Sequence, residues 1–191
     1  FISELTKDYV RELNIIREVF VEEPKNYHAW CHRIWLVRRF DLYLQEFDFV
    51  KKMLDRDHRN NSAWNYRFFL VSSCHDISLK SIQKNLNNET LDNIEKTILK
   101  NNDKILLDSE IEFSFNYLLK DPENESVYSY IRGLYDNEKI NPNNSKKQLL
   151  SENKILIEKL CEIISKNPNC YQARSFKLDI IIEEKNIFSK Q

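Results

Sequence analysis

Apolar residues recur along this chain at helical rather than strand spacing. Val10, Leu13, Ile16 and Phe20 fall three or four residues apart, which puts them on one face of a helix running from about Tyr9 to Phe20. Phe1 to Leu5 reads as the tail of a preceding helix. Glu22-Glu23-Pro24 closes the stripe, because proline lacks a backbone donor and disfavours helical geometry in the residue before it. Asn26 follows as an N-cap, with a side-chain oxygen able to accept from a first-turn amide. A second helix is predicted from there to about Phe40. A third spans about Leu44 to Asp55 with Phe47, Val50 and Leu54 as its stripe, and a fourth about Ser62 to Ser73.

Cys74 to about Lys104 breaks the pattern with scattered apolar residues among Asn, Lys, Asp, Glu and Ser. We read residues 75–104 as a low-complexity insertion into one inter-helix turn, with a short helix near Leu91 to Leu99. Long insertions in surface turns cost little closure entropy. Leu107, Ile111, Phe115 and Leu118 then mark a further helix, and another runs from about Glu125 to Tyr135. Asn137 to Lys147 is a second polar linker. A helix over Gln148 to Lys166 carries Leu156, Leu160 and Ile163, and a final one reaches about Glu184.

The helix starts are copies of one another. Lys25-Asn26-Tyr27-His28-Ala29-Trp30-Cys31-His32-Arg33 returns thirty-four positions later as Arg59-Asn60-Asn61-Ser62-Ala63-Trp64-Asn65-Tyr66-Arg67. Pro122-Glu123-Asn124-Glu125-Ser126-Val127-Tyr128 is a third copy with Tyr128 at the tryptophan position. Pro168-Asn169-Cys170-Tyr171-Gln172-Ala173 is a degraded fourth. Such a period means stacked supersecondary units. The unit here is an αα-hairpin, and the fold is an all-α solenoid of about four repeats, one domain over 1–191. Trp30, Trp64 and Tyr128 are then core residues between hairpins. Arg33 and Arg67, on a neighbouring part of the same face, are expected to bond helix ends or carboxylates of adjacent repeats. Asn60 and Asn124 share the cap position of Asn26.

Composition narrows the chemistry. The net charge of −1 gives no global drive toward nucleic acid or anionic membrane. Gly133 is the only glycine, which argues against phosphate-cradling loops and hairpin-rich β folds. The four cysteines show no C-x-x-C spacing and read as thiols of a reducing, cytoplasmic compartment. No apolar run approaches the roughly 20 residues of a membrane span, and no signal peptide is visible. Adjacent Cys31 and His32 point about 100° apart on a helix and suit a shared metal poorly. Cys74-His75-Asp76 lacks a second cluster. No metal is assigned to this chain, and no nucleophile, triad or metal cluster supports a free-standing enzyme.

One stretch does carry candidate chemistry. A helix N-terminus presents free amides and a partial positive charge, favourable toward a diphosphate. Lys25, Tyr27 and His28 add a cation and two donors beside it, groups suited to negative charge developing on a leaving diphosphate. Asn26 is placed there as well, as the cap.

Lys25-Asn26-Tyr27-His28-Ala29-Trp30-x-His32-Arg33, Arg59-Asn60-Asn61-Ser62-x-Trp64-Asn65-x-Arg67 and Asn124-Glu125-Ser126-x-Tyr128, in this order, resemble the α subunit of protein prenyltransferases. The resemblance is closest to the type shared by protein farnesyltransferase and protein geranylgeranyltransferase type I, and it covers the chain outside the insertion. It implies a right-handed superhelix of helical hairpins wrapped around a β subunit, in an enzyme that joins an isoprenoid from its diphosphate to a cysteine near the C-terminus of substrate proteins. It implies zinc and magnesium in the complete heterodimer, the zinc in the β subunit. It places Lys25, Asn26, Tyr27 and His28 near the isoprenoid diphosphate. The diphosphate-binding lysine of the family belongs to the copy before this one, so the chain reads as a fragment lacking the N-terminal repeats, inactive by itself. The Rab-type geranylgeranyltransferase α subunit shares the repeat but matches these words less well. A tetratricopeptide scaffold has a similar period, yet its Trp-x2-Leu-Gly-x2-Tyr pattern is absent.

Overall fold

The computed structural model describes the backbone of residues 2–86, 108–140 and 146–189, and the side chains of 8–73, 108–136 and 153–186. Among these residues every regular element is an α-helix, and no helix is long and apolar enough to cross a membrane. The chain divides into two compact units, 1–90 and 91–191.

The first unit holds α1 (Ile2–Glu22), α2 (Tyr27–Phe40), α3 (Tyr43–Arg56) and α4 (Asn61–Leu86). α1 packs on α2 and α3 on α4, so two hairpins form; α2 also lies against α4, so the hairpins stack. Leu13, Ile16, Phe20, Trp30, Val50, Leu54, Trp64 and Leu70 are buried between them. An aromatic row binds three helices together: Phe20 of α1 lies 4.3 Å from Trp30 of α2, which lies 5.0 Å from Tyr66 of α4. Tilted rings at these separations add about 0.5–1.5 kcal/mol per pair to the area they bury. α2 ends at Asp41, which takes the left-handed conformation (φ 56°, ψ 49°) and returns its N–H to the Val37 carbonyl. An aspartate tolerates that region better than most residues, and the two-residue link Asp41-Leu42 folds α3 directly back.

The second unit holds α5, whose described part is 108–118, with α6 (Glu125–Ile140), α7 (Lys146–Lys166) and α8 (Tyr171–Ser189). α7 packs on α8, and α8 on α6. Ile111, Phe115, Leu118, Tyr128, Ile131, Leu156, Leu160, Ile163, Phe176 and Ile180 are buried. Lys159 of α7 pairs with Glu112 of α5 and lies 5.5 Å over the Phe115 ring.

Within each unit the described residues form the predicted all-helical stack of hairpins, with several boundaries moved. α1 is one continuous helix from Ile2, not a tail followed by a new helix; Thr6-Lys7-Asp8 contains no residue that stops a helix. Val10, assigned to its buried stripe, is 49% exposed, while Leu13, Ile16 and Phe20 are buried. α4 runs on to Leu86, so the first part of the stretch read as an insertion continues a helix. α6 likewise continues to Ile140 and α7 begins at Lys146, shortening the second polar linker at both ends. The short helix expected at Leu91 to Leu99 lies outside the described residues.

Candidate functional site

All four hairpins turn in the same way. The chain leaves the first helix, makes a four-residue turn and enters the second helix at a cap: Asn26, Asn60, Asn124 or Cys170. The cap N–H bonds back three residues, to the carbonyls of Glu23, Asp57, Asp121 and Asn167, and its carbonyl accepts from the residue four on. The three asparagines cap with their side chains. Asn26 Oδ1 accepts from Ala29 N at 2.9 Å, Asn60 Oδ1 from Ser62 N at 3.0 Å, and Asn124 Oδ1 from Ser126 N at 3.2 Å. A cap of this kind contributes about 1 kcal/mol.

The recurring aromatic does more than fill space. Trp30 Nε1 donates to the Pro24 carbonyl at 3.0 Å, Trp64 Nε1 to the His58 carbonyl at 2.8 Å, and the Tyr128 hydroxyl to the Pro122 carbonyl at 2.9 Å. Each ring fastens the turn six residues before it, a bond that Trp and Tyr can donate and Phe cannot. The next hairpin uses the same acceptor: Asn60 Nδ2 donates to the Pro24 carbonyl at 3.1 Å, and Cys170 Sγ to the Pro122 carbonyl at 3.0 Å. Asn60 therefore caps its own helix and fastens the preceding turn, which its place in the sequence does not disclose.

Arg33 is wholly buried and forms the predicted bond to an adjacent hairpin. Its Nε and Nη2 donate to the two oxygens of Glu46 at 2.6 and 2.9 Å, and its guanidinium sits 3.4 Å over the Phe49 ring. The Tyr66 hydroxyl donates to Glu46 at 2.6 Å. Burial, with the Glu46 charge beside it, drives the Tyr66 phenol far above its ordinary range. Glu46 thus ties α2, α3 and α4 together. Tyr130 and Glu110 repeat the tyrosine half of the arrangement at 2.6 Å in the second unit. Arg67 is also buried, with its guanidinium 5.4 Å over Phe47. These arginines hold the stack and lie away from solvent.

The open surface at the start of α2 is different. Tyr27 is 73% exposed and His28 is exposed beside it, their rings 5.6 Å apart and edge to face. A hydrogen bond with Cys31, one turn on, together with the charge there, holds the Tyr27 phenol above its ordinary value. It therefore remains a neutral O–H donor at neutral pH. One turn further, His32 stacks on the half-exposed Trp35 at 5.6 Å. Tyr27, His28, Cys31, His32 and Trp35 together give α2 an exposed aromatic and imidazole face.

Carboxylates from elsewhere reach this face. Although Lys25 to Phe40 contains none, Glu23 accepts from Asn26 Nδ2 at 2.7 Å, Asp57 stands 4.0 Å from Lys25 Nζ, and Glu12 stands 2.5 Å from His32 Nε2. The Lys25 pair is exposed and worth at most ~1 kcal/mol, so the ammonium is released readily to a stronger anion. Asn26 is committed on both sides of its amide and serves as a cap. Tyr27 and His28 are exposed in the first turn of a capped helix, at its positive end, and Lys25 stands next to them in the turn. Such a surface can bind a phosphate or diphosphate oxygen and stabilise charge on it. Among the described residues no three His, Cys, Asp or Glu side chains lie close enough to hold one ion; the Cys74-His75-Asp76 side chains lie outside the described set.

Comparison with known proteins finds the same repeat in part of the chain. The model of the protein prenyltransferase alpha subunit repeat matches residues 9–40 and 43–74, the α1–α2 hairpin and α3 with the first half of α4. The protein farnesyltransferase/geranylgeranyltransferase type-1 subunit alpha of Dictyostelium discoideum is 34% identical over 79 residues, which is 41% of this chain and 22% of that relative. The chain thus spans about a fifth of the length of the curated relative it matches. The two matched repeats and this relative support a prenyltransferase alpha-subunit-type protein.

Proposed function

We propose that the chain acts within the α subunit of a heterodimeric protein prenyltransferase of the kind shared by farnesyltransferase and geranylgeranyltransferase type I. The observation that carries the reading is the exposed Tyr27–His28 pair at the capped start of α2, inside a matched repeat. In this reading the face of α2 meets a β subunit, and the pair lies at the rim of the joint active site. As the bond between the isoprenoid carbon and its diphosphate breaks, negative charge grows on the diphosphate oxygens. The Tyr27 hydroxyl, the His28 ring, the Lys25 ammonium and the first-turn amides meet that charge, and each bond strengthens as the charge develops. Zinc held by the β subunit would supply the substrate cysteine as thiolate, and magnesium would screen the diphosphate. The product is a protein with an isoprenoid on a cysteine near its C-terminus, formed in the cytoplasm.

The test is kinetic. In the full-length subunit paired with its β subunit, Tyr27→Phe and His28→Ala should each lower kcat/KM by about tenfold, ~1.4 kcal/mol of transition-state stabilisation. Both residues are exposed, so the unfolding midpoint should stay within about 0.5 kcal/mol of the parent. Unchanged kinetics in both variants, or failure to pair with every β subunit of the source, would remove the proposal.

A further inference from the structure

We propose that a cavity between α1 and α3 is a docking site for an acidic peptide segment of a partner protein. The segment places one large apolar side chain in the cavity and sets carboxylates around its mouth.

The cavity has a volume of about 500 Å³, inside the range of about 300–1,000 Å³ usual for ligand sites. Phe20 of α1, with Phe49 and Met53 of α3, gives it an apolar lining, to which the largely exposed Val21 adds. The lining is built into the core. Phe49 packs 6.0 Å from Phe20 and 6.0 Å from Trp30, and the buried Arg33 guanidinium lies 3.4 Å over its ring. An apolar side chain entering here meets a surface already in place, so little ordering is needed on binding.

Charge decides the occupant. Arg17 of α1 and Lys52 and Arg56 of α3 line the same cavity, and all three are exposed. Asp48 is the one carboxylate that lines it, so three cations face a single acid. Arg17 is held by the Asn14 side chain at 2.9 Å, and Arg56 donates to the Phe20 and Val21 carbonyls at 3.4 and 3.1 Å. These acceptors are neutral and leave both positive charges uncompensated. Among the described residues Lys52 has no ion pair. The rim therefore offers positive charge spread over two helices rather than a convergent fork of donors. A compact phosphate is held by such a fork, and Arg56 has already given donors to two carbonyls. Carboxylates distributed along a peptide suit the spread, steering the segment in while its apolar side chain anchors it. The site uses no residue of α2, so it stands whether or not Tyr27 and His28 act on a diphosphate.

The probe is a fluorescein-labelled peptide with one phenylalanine between pairs of glutamates, titrated into the full-length protein in its native assembly and read by fluorescence anisotropy. Saturable binding is expected, weaker by about tenfold when alanine replaces the phenylalanine of the peptide, and weaker by several-fold when salt is raised. Arg17→Glu combined with Lys52→Glu should weaken it by at least about tenfold, and Asp48→Asn should tighten it several-fold by removing the one like charge. Melting temperatures should stay at the parent value, since the three substituted positions are exposed. Absence of saturable binding, equal affinity for the alanine peptide, or unchanged affinity in the Arg17→Glu, Lys52→Glu variant would each overturn the proposal. So would displacement of the peptide by an equal concentration of inorganic phosphate, which would mark a site for a compact anion.

Discussion

Glu46 shows how a single residue fixes the stack. Its carboxylate is buried, takes two bonds from Arg33 and one from Tyr66, and leaves water only because all three are present. A buried ion pair is weak evidence of net stability, but removing one partner strands the other charge at a cost of roughly 3–5 kcal/mol. Glu46→Ala should accordingly destabilise the protein by about that amount in urea unfolding. Replacing Arg33 and Glu46 together by Met should recover most of the loss, because no charge is then left behind. The sequence pointed to Arg33 as a bond to a neighbouring hairpin; it did not point to Glu46, which reads as one more polar residue on α3. Thirteen positions separate the pair, and no local spacing rule joins residues across a hairpin boundary.

At the scale of the element, the boundaries next to tight turns were legible, including the ends of α2 at Phe40 and α7 at Lys166. A start is set by a cap and a turn within a few residues, so Asn26, Asn60 and Asn124 announced themselves. Where the chain offers no such turn, and with one glycine to mark C-caps, the patterns of α4 and α6 close before their helices do. The candidate site followed the same division. Tyr27 and His28 lie where the start signal puts them, whereas Glu12, Glu23 and Asp57 arrive through tertiary packing or a turn and were missed. The fourth start gives a further test. Cys170 occupies the cap position and fastens the Pro122 carbonyl, but a thiol is a weak acceptor for first-turn amides. Cys170→Asn restores the residue used in the other three copies and should stabilise the protein by about 1 kcal/mol in denaturant melts. A loss of stability would mean that the pocket around Cys170 is too tight for the amide.

Across the molecule the buried phenols make stability depend on alkaline pH. Tyr66, Tyr128 and Tyr135 all lie far above the ordinary value of 10.0, each chiefly through burial. In the unfolded chain these groups lose their protons near the ordinary value; in the folded chain they keep them. The folded state therefore binds more protons above that point, and stability falls as pH rises through it. Melting temperature should be insensitive to these three groups up to about pH 9 and should drop with increasing slope beyond about pH 10. Tyr128→Phe should make the drop shallower, at the cost of a lower plateau from the lost bond to Pro122. An unchanged slope would show that the Tyr128 phenol titrates alike in both states.

The Pro24 and Pro122 carbonyls each take one donor from their own hairpin and one from the hairpin that follows. A main-chain oxygen is supplied by every amino acid, so what these joints require of the turn is its path, not its letters. Substitutions there are free to accumulate, as the words Pro24-Lys25, His58-Arg59, Pro122-Glu123 and Pro168-Asn169 already differ. Selection is left to act on the indole, phenol, amide and thiol that reach for that oxygen, and a lineage can rewrite the surface between its helices without unfastening them.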